Sequence, residues 1–194
     1  AEIGLFGELL VLNELLADLE IRDVLTAWRG PESEEHDFTI EGMDLEVKTT
    51  SSEERAHWIT SLQQLTPVLS RPLRLVSVQL SPKTGAGSLT LPDLVRIVEH
   101  KCQHHAADFT DKLEKVGYAR EDSDLYLTEW ALRAPVLCFE VNDSFPRITS
   151  ANLNGMGLTP NQVTDVRYRI SLSGLQDDPS CGLSNVRVPN DVRD

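Results

Sequence analysis

The chain predicts a mixed α/β domain built round a central sheet, and three observations carry that prediction. Leucines recur at helical spacing through residues 2–20. Residues 36–50 alternate polar and apolar side chains in the manner of a β-hairpin. A strongly apolar stretch, Leu73–Leu80, is followed by two further helical patterns and more short strands. The expected order is helix, three or four strands, two helices, then strands, and the hairpin faces the opening helix across the sheet.

In the opening helix, Leu5, Leu9, Leu12, Leu16 and Leu19 form an apolar stripe. At ~100° per residue, Val11, Leu12, Leu15 and Leu19, together with Gly4 and Leu5, all lie within about 60° of Glu8. A carboxylate facing a core is costly unless it is paired, hydrogen-bonded or bound to metal. Glu8 is therefore either salt-bridged to an arginine at the edge of the core or part of a site.

Trp28-Arg29-Gly30-Pro31 closes a connecting segment, and Glu32–Glu35 is a polar loop leading into the hairpin. A Gly42-Met43 turn of type II′ would set Phe38 opposite Val47, Ile40 opposite Leu45, Thr39 opposite Glu46 and Asp37 opposite Lys48. That register buries four apolar side chains on one face and gathers Asp37, Glu46 and Lys48 on the other. An exposed ion-paired face is the alternative for such a pattern on its own.

His57–Leu65 predicts a strand running into a short helix stopped by Pro67, and Leu73–Leu80 a fourth strand. Ser81–Ser88 is a loop whose glycines lack the Lys-Ser/Thr of a phosphate-binding loop. Leu91–Gln103 and Ala106–Val116 predict helices, the second closed by Gly117, and Leu125–Arg133, Val136–Val141 and Val163–Leu172 predict strands. Asp177–Asp194 is a polar tail beyond a domain of residues 1–176. Trp58 and Trp130 are expected in the core. Cys102-x-His104-His105 has no second half for a zinc site and is expected at the surface.

Length and composition bound the rest. With 194 residues, 40% of them hydrophobic, the chain can build one domain with a substantial core. No apolar run reaches the ~18–20 residues that span a bilayer, so no membrane partner is expected. The three cysteines are odd in number and far apart, which argues against a disulfide framework and suits a reducing cytoplasm. The chain opens at Ala1 without an initiator Met, as expected of a fragment of a longer protein.

The net charge of −13 is unfavourable for a nucleic-acid-binding surface. Its distribution matters more than its sum. Residues 1–60 carry fifteen acids against four bases, whereas residues 131–194 carry seven acids against six arginines. Divalent metal would belong near the hairpin. Phosphate contacts would come from the later arginines, Arg167 and Arg169 among them, or from a partner. Those two are equally suited to pair with the acidic excess.

Two carboxylates and an ammonium on one small face are the residue types that phosphodiester hydrolysis uses. Carboxylates hold one or two Mg²⁺ ions, and a lysine orients water and stabilises developing charge. Asp37, Glu46 and Lys48 supply that set, the backbone carbonyl of Val47 offers a further ligand, and Glu8 completes it from the helix.

Gly4-Leu5-Phe6-Gly7-Glu8-Leu9, Trp28-Arg29-Gly30-Pro31, His36-Asp37-Phe38 and Leu45-Glu46-Val47-Lys48-Thr49-Thr50 together resemble the PD-(D/E)XK nuclease superfamily. Within it, the chain is similar to bacterial PD-(D/E)XK motif proteins encoded beside methylases, helicases and ATPases of restriction or phage-defence systems. His36 stands where the superfamily name has Pro. Phe145-Pro146-Arg147-Ile148 and Val166-Arg167-Tyr168 extend the likeness.

The resemblance implies a restriction-endonuclease-like α/β core, a central mixed sheet flanked by helices. It implies Asp37 and Glu46 as metal ligands, Lys48 as the catalytic lysine and Glu8 as the helix carboxylate of a Mg²⁺ site in which Mn²⁺ substitutes. It also implies DNA as substrate, a homodimer or restriction and defence subunits as partners, and cleavage of the phosphodiester backbone. The Q-x₃-Y motif of helicase-linked relatives is missing, because Pro67 and Val68 stand four residues after Gln63 and Gln64. Three cysteines also exclude their four-cysteine cluster. Gln64 is an accessory candidate, or merely caps a short helix. A non-catalytic binding or assembly module with the same fold is the competing reading, and an RNA nuclease or exonuclease a third.

Overall fold

The computed structural model describes residues 2–68, 71–158, 163 and 165–190. Its elements run α1 (Glu2–Asp18), α2 (Ile21–Ala27), β1 (Phe38–Ile40), β2 (Met43–Thr50), β3 (Ala56–Ile59), β4 (Leu73–Pro82), α3 (Leu91–Cys102) and α4 (Ala106–Lys115). They continue as β5 (Trp130–Leu132), β6 (Leu137–Glu140), α5 (Ser150–Gly155) and β7 (Tyr168–Ser171). A five-stranded sheet runs β1-β2-β4-β5, with β6 also paired to β4. β1 and β2 are antiparallel, β2 and β4 parallel, and β4 antiparallel to β5 and β6. This is the mixed central sheet of the expected restriction-endonuclease-like α/β core.

Parallel neighbours need a long crossover. Between β2 and β4 that crossover contains β3, which pairs with β7 as a separate two-stranded ribbon. The two faces of β4 explain the layering. Val76, Val78 and Leu80 pack with Phe6, Leu9, Leu12, Phe38, Leu45, Val47, Leu94, Val98 and Phe109 under the helices. Leu73 and Leu75 face the other way, into a second cluster with Ile59, Phe139 and Ile170 beneath the ribbon. Each such side chain contributes roughly 1.5–3 kcal/mol on burial.

α1 is enclosed on more than one side. Phe6, Gly7, Leu9, Leu10, Val11, Leu12 and Asn13 are all buried, so the single leucine stripe expected from the sequence understates its contacts. At Gly7 the helix backbone lies directly on Thr49 of β2, with no room for a Cβ. α3 starts with a reciprocal cap between Thr90 and Asp93.

Several expectations are corrected. The hairpin register is Phe38↔Leu45, Thr39↔Asp44 and Ile40↔Met43, two residues away from the predicted one. The turn is Glu41-Gly42, with φ of 48° and 81°, a pair of positive angles that suits a type I′ hairpin. α2 and α5 went unforeseen. The strand expected over 125–133 shrinks to β5, with a 3₁₀ turn over Arg120–Leu125 before it. The strand expected over 163–172 is described as β7 only, and residue 164 lies outside the described residues. In the expected polar tail, Leu183 and Val186 are buried against the helix-side core; residues 191–194 lie outside the described residues.

Trp130 is buried as expected, but Trp58 is 51% exposed. Cys102 is buried, against the surface position expected for it, whereas His104 is exposed. Cys138 and Cys181 form a disulfide, correcting the expectation from cysteine number. Packing of the C-terminal segment beside β6 brings together residues 43 apart in sequence. Among the described residues, no helix is long and apolar enough to cross a membrane.

Candidate functional site

The two-residue slip keeps every hairpin side chain on its expected face, because faces alternate with period two. Phe38, Leu45 and Val47 point into the helix-side core. Glu46 and Lys48 share the opposite face, and Asp37, one residue before β1, shares it by alternation. β1 stops at Phe38, so beyond that point the outer edge of β2 has no strand beside it.

The Asp37 side chain fills that gap. Its Oδ2 accepts the Val47 backbone N–H at 2.7 Å, while its own carbonyl accepts the N–H groups of Arg29 (2.7 Å) and Gly30 (3.1 Å). In a strand, a residue's N–H and C=O leave on the same side. The Val47 carbonyl is thus also directed to this edge, since β4 occupies the other.

Glu8 arrives from α1, its helix seated by Gly7 on Thr49. Glu8 Oε2 accepts the indole N–H of fully buried Trp28 at 2.9 Å. Of the two alternatives the sequence left for Glu8, the salt bridge to an arginine is not the bond found here, which is to an indole. A Cβ added at Gly30 would lie 2.8 Å from Glu8 Oε2 and 3.2 Å from Asp37 Oδ1. Gly30 therefore forms the wall against which both carboxylates rest, and only glycine leaves them space. Glu46, 2% exposed, is ion-paired through Oε1 to Lys48 Nζ at 2.7 Å.

Electrostatics bind these groups into one cluster. Burial pushes Glu8 up to about 8, and ionised Asp37 adds to the effect, against the Trp28 hydrogen bond and Lys48. Burial likewise lifts Glu46 to about 8, with Asp37 and then Glu8 adding repulsion that Lys48 offsets. Asp37 is raised by burial, opposed by the Val47 N–H, Lys48 and His36. Three carboxyls in one dry notch with a single ammonium hold more negative charge than they can accommodate.

The donor set is hard oxygen throughout, which suits a divalent cation such as Mg²⁺. Among the described residues, no three His, Cys, Asp or Glu side chains are disposed to hold a metal as they stand. Glu8 Oε2 is bonded to Trp28, Asp37 Oδ2 to Val47 and Glu46 Oε1 to Lys48. The donor chemistry fits a cation, and each of these bonds uses one oxygen of its carboxylate, leaving the other for an ion.

The remaining candidates are placed elsewhere. Gln64 Oε1 accepts the Thr60 N–H at 2.9 Å, tying the turn after β3. The Arg167 guanidinium lies 4.5 Å over the Trp58 ring, and Arg169 is 3.8 Å from Glu54.

Neighbouring polar residues escaped the sequence reading. Asp44 is wholly buried and accepts from Thr39 Oγ1 (2.9 Å) and Arg71 Nε (3.0 Å), with His36 Nδ1 at 3.5 Å. His57 Nε2 lies 2.7 Å from Ser77 Oγ. Ser77 pairs in register with Lys48, and its Oγ also accepts Arg55 at 2.9 Å. Burial, then Arg55, Lys48 and Arg169, push His57 down to about 3, so it is neutral. Trp28, Gly30 and Asp44 carry no signal of their own beyond the Trp28–Pro31 word already noted.

A family model described as "Putative PD-(D/E)XK family member (DUF4420)" matches residues 1–173. No curated protein and no solved structure matches the chain.

Proposed function

Because the chain belongs to this PD-(D/E)XK family, we propose that it is a Mg²⁺-dependent DNA endonuclease, the cleavage component of a restriction or phage-defence system. One observation supports this above the others. Glu8, Asp37 and Glu46 are desolvated together beside Lys48; burial raises all three carboxyls, and repulsion from Asp37 raises Glu8 and Glu46 further. A merely structural site would gain by losing one of them.

In this reading Asp37, Glu46, the Val47 carbonyl and Glu8 hold the ion, and Mn²⁺ substitutes. When bound, the ion neutralises charge on the phosphoryl oxygens and activates water. The protein supplies position. The Trp28 indole fixes Glu8, the Val47 N–H fixes Asp37, and the Arg29 and Gly30 N–H groups anchor the Asp37 backbone. Lys48 Nζ, held by Glu46 on the same strand face, orients the attacking water and places positive charge against the transition state. Dry surroundings strengthen each interaction. DNA is the substrate, and a homodimer or defence subunits would deliver the second strand's cut.

The competing assembly-module reading is favoured by the −13 net charge, which weakens binding of an isolated chain to DNA. Calorimetric titration of Mn²⁺ and Mg²⁺ into wild type, Asp37→Ala and Glu8→Ala separates the two. Binding that disappears without Asp37 and weakens without Glu8, with plasmid cleavage that needs Lys48, supports the nuclease. Wild type that binds no metal even with DNA present, and cuts nothing, supports the module.

A further inference from the structure

The ribbon of β3 and β7 has an inner and an outer face. His57, Ile59, Ile170 and Tyr168 alternate inward, and Ile59 and Ile170 sit in the second core cluster. Trp58 and Arg169 are cross-strand partners on the outer face. Arg167, just before β7, lays its guanidinium over the indole. Trp58 nevertheless remains 51% exposed. A large aromatic surface is thus left in water on a rigid strand, with two guanidiniums beside it, in a chain whose net charge is −13.

The ribbon adjoins the candidate site. His57 precedes Trp58 and meets Ser77, the register partner of Lys48. Arg55 donates to the same Ser77, at 2.8 Å to its carbonyl and 2.9 Å to its Oγ, so a further guanidinium lies between the ribbon and the strand beside Lys48. Arg169 is 3.8 Å from Glu54, whose side chain is 80% exposed, so this is a solvent-screened surface pair that leaves the guanidinium open to a phosphate.

We propose that Trp58, with Arg167 and Arg169, is a stacking platform for an unpaired base of a single DNA strand, whose phosphates then follow the arginines towards Lys48. The proposal rests on the nuclease reading and narrows its substrate to DNA with single-stranded or opened character. Stacking suits such a strand because an unpaired base presents a free π-face, whereas bases in a duplex are stacked on each other. The guanidinium already over the ring extends the same layered arrangement and neutralises phosphate.

Trp28 and Trp130 are 0% and 8% exposed, so quenching of tryptophan fluorescence by an oligonucleotide reports Trp58. The test titrates the 194-residue chain with dT12, U12 and a 12-base-pair duplex, in EDTA so that no cleavage intervenes. Anisotropy of labelled oligonucleotides gives the affinities. The expected result is quenching by dT12, weaker binding of the duplex, a loss of about tenfold or more for Trp58→Ala, and retention by Trp58→Phe. Arg167→Ala and Arg169→Ala should weaken binding and flatten its salt dependence. Equal quenching by U12 retains the platform and extends it to either kind of strand. Absence of quenching, or a duplex bound at least as tightly with Trp58→Ala unchanged, overturns it. Failure of the nuclease reading looks different: dT12 binds through Trp58, yet nothing is cut when Mg²⁺ is supplied.

Discussion

Glu8→Gln should stabilise the metal-free protein, and increasingly so as pH rises. Burial and Asp37 lift the Glu8 carboxyl from 4.5 to about 8 in the folded chain. Below pH 4.5 both folded and unfolded chains hold the proton, and the group costs nothing. Between 4.5 and 8 the unfolded chain releases a proton that the folded chain keeps, so stability falls by about 1.4 kcal/mol per pH unit. At pH 7 the accumulated penalty is about 3 kcal/mol, which for a domain of this size is about 6–12 °C in Tm. Glutamine removes the titration while its carbonyl can still accept the Trp28 indole N–H. The assay is thermal unfolding of wild type and Glu8→Gln in EDTA at pH 5, 6, 7 and 8. The two curves should nearly coincide at pH 5 and separate above it. A difference that does not change with pH, or a variant less stable at pH 8, would refute the electrostatic account of the notch.

Other perturbations have equally definite outcomes. Lys48→Ala should abolish plasmid cleavage in Mg²⁺ or Mn²⁺ while leaving the far-ultraviolet circular dichroism spectrum unchanged. His57, pushed down to about 3, stays neutral in the fold while the unfolded chain gains a proton as pH falls through 6.5. Wild type should therefore lose about 3 kcal/mol by pH 4.5 that His57→Gln does not, measured by urea denaturation at each pH. Asp44→Ala strips Thr39, Arg71 and His36 of a buried acceptor and should cost about 3–5 kcal/mol by chemical denaturation. Gly7→Ala drives a methyl into Thr49 and should cost about 1–3 kcal/mol. By shifting Glu8 it should also weaken Mn²⁺ binding in calorimetry.

What the sequence disclosed follows from the range of its signals. Period-two alternation placed Asp37, Glu46 and Lys48 on one face, and that assignment survives a register error of two residues. The error arose because a glycine-first turn seemed natural at Gly42-Met43, whereas the chain accepts Glu41 at φ 48° so that Gly42 can follow at φ 81°. Glu8 stood out because a carboxylate broke a leucine stripe, but its indole partner lies 20 residues away and left no local trace. α2 is seven residues long and has no side-chain cap, so it lacked both periodicity and a start signal. Trp58 was expected in the core, yet it is 51% exposed. The tertiary contact with Ser77 turned His57 inward, and alternation then turned Trp58 out. Asp44 differs from an ordinary surface acid only through Thr39, Arg71 and His36, which the fold gathers around it.

The bridge between Cys138 and Cys181 makes the chain from β6 to the C-terminal segment a closed loop that contains α5 and β7. A protease that cuts once between Phe139 and Ser180 cannot release a fragment. The two pieces would migrate as one band without reductant and separate when it is added. The strand carrying Arg169 is therefore covalently retained even after its connection to the helix-backed sheet has been severed on one side.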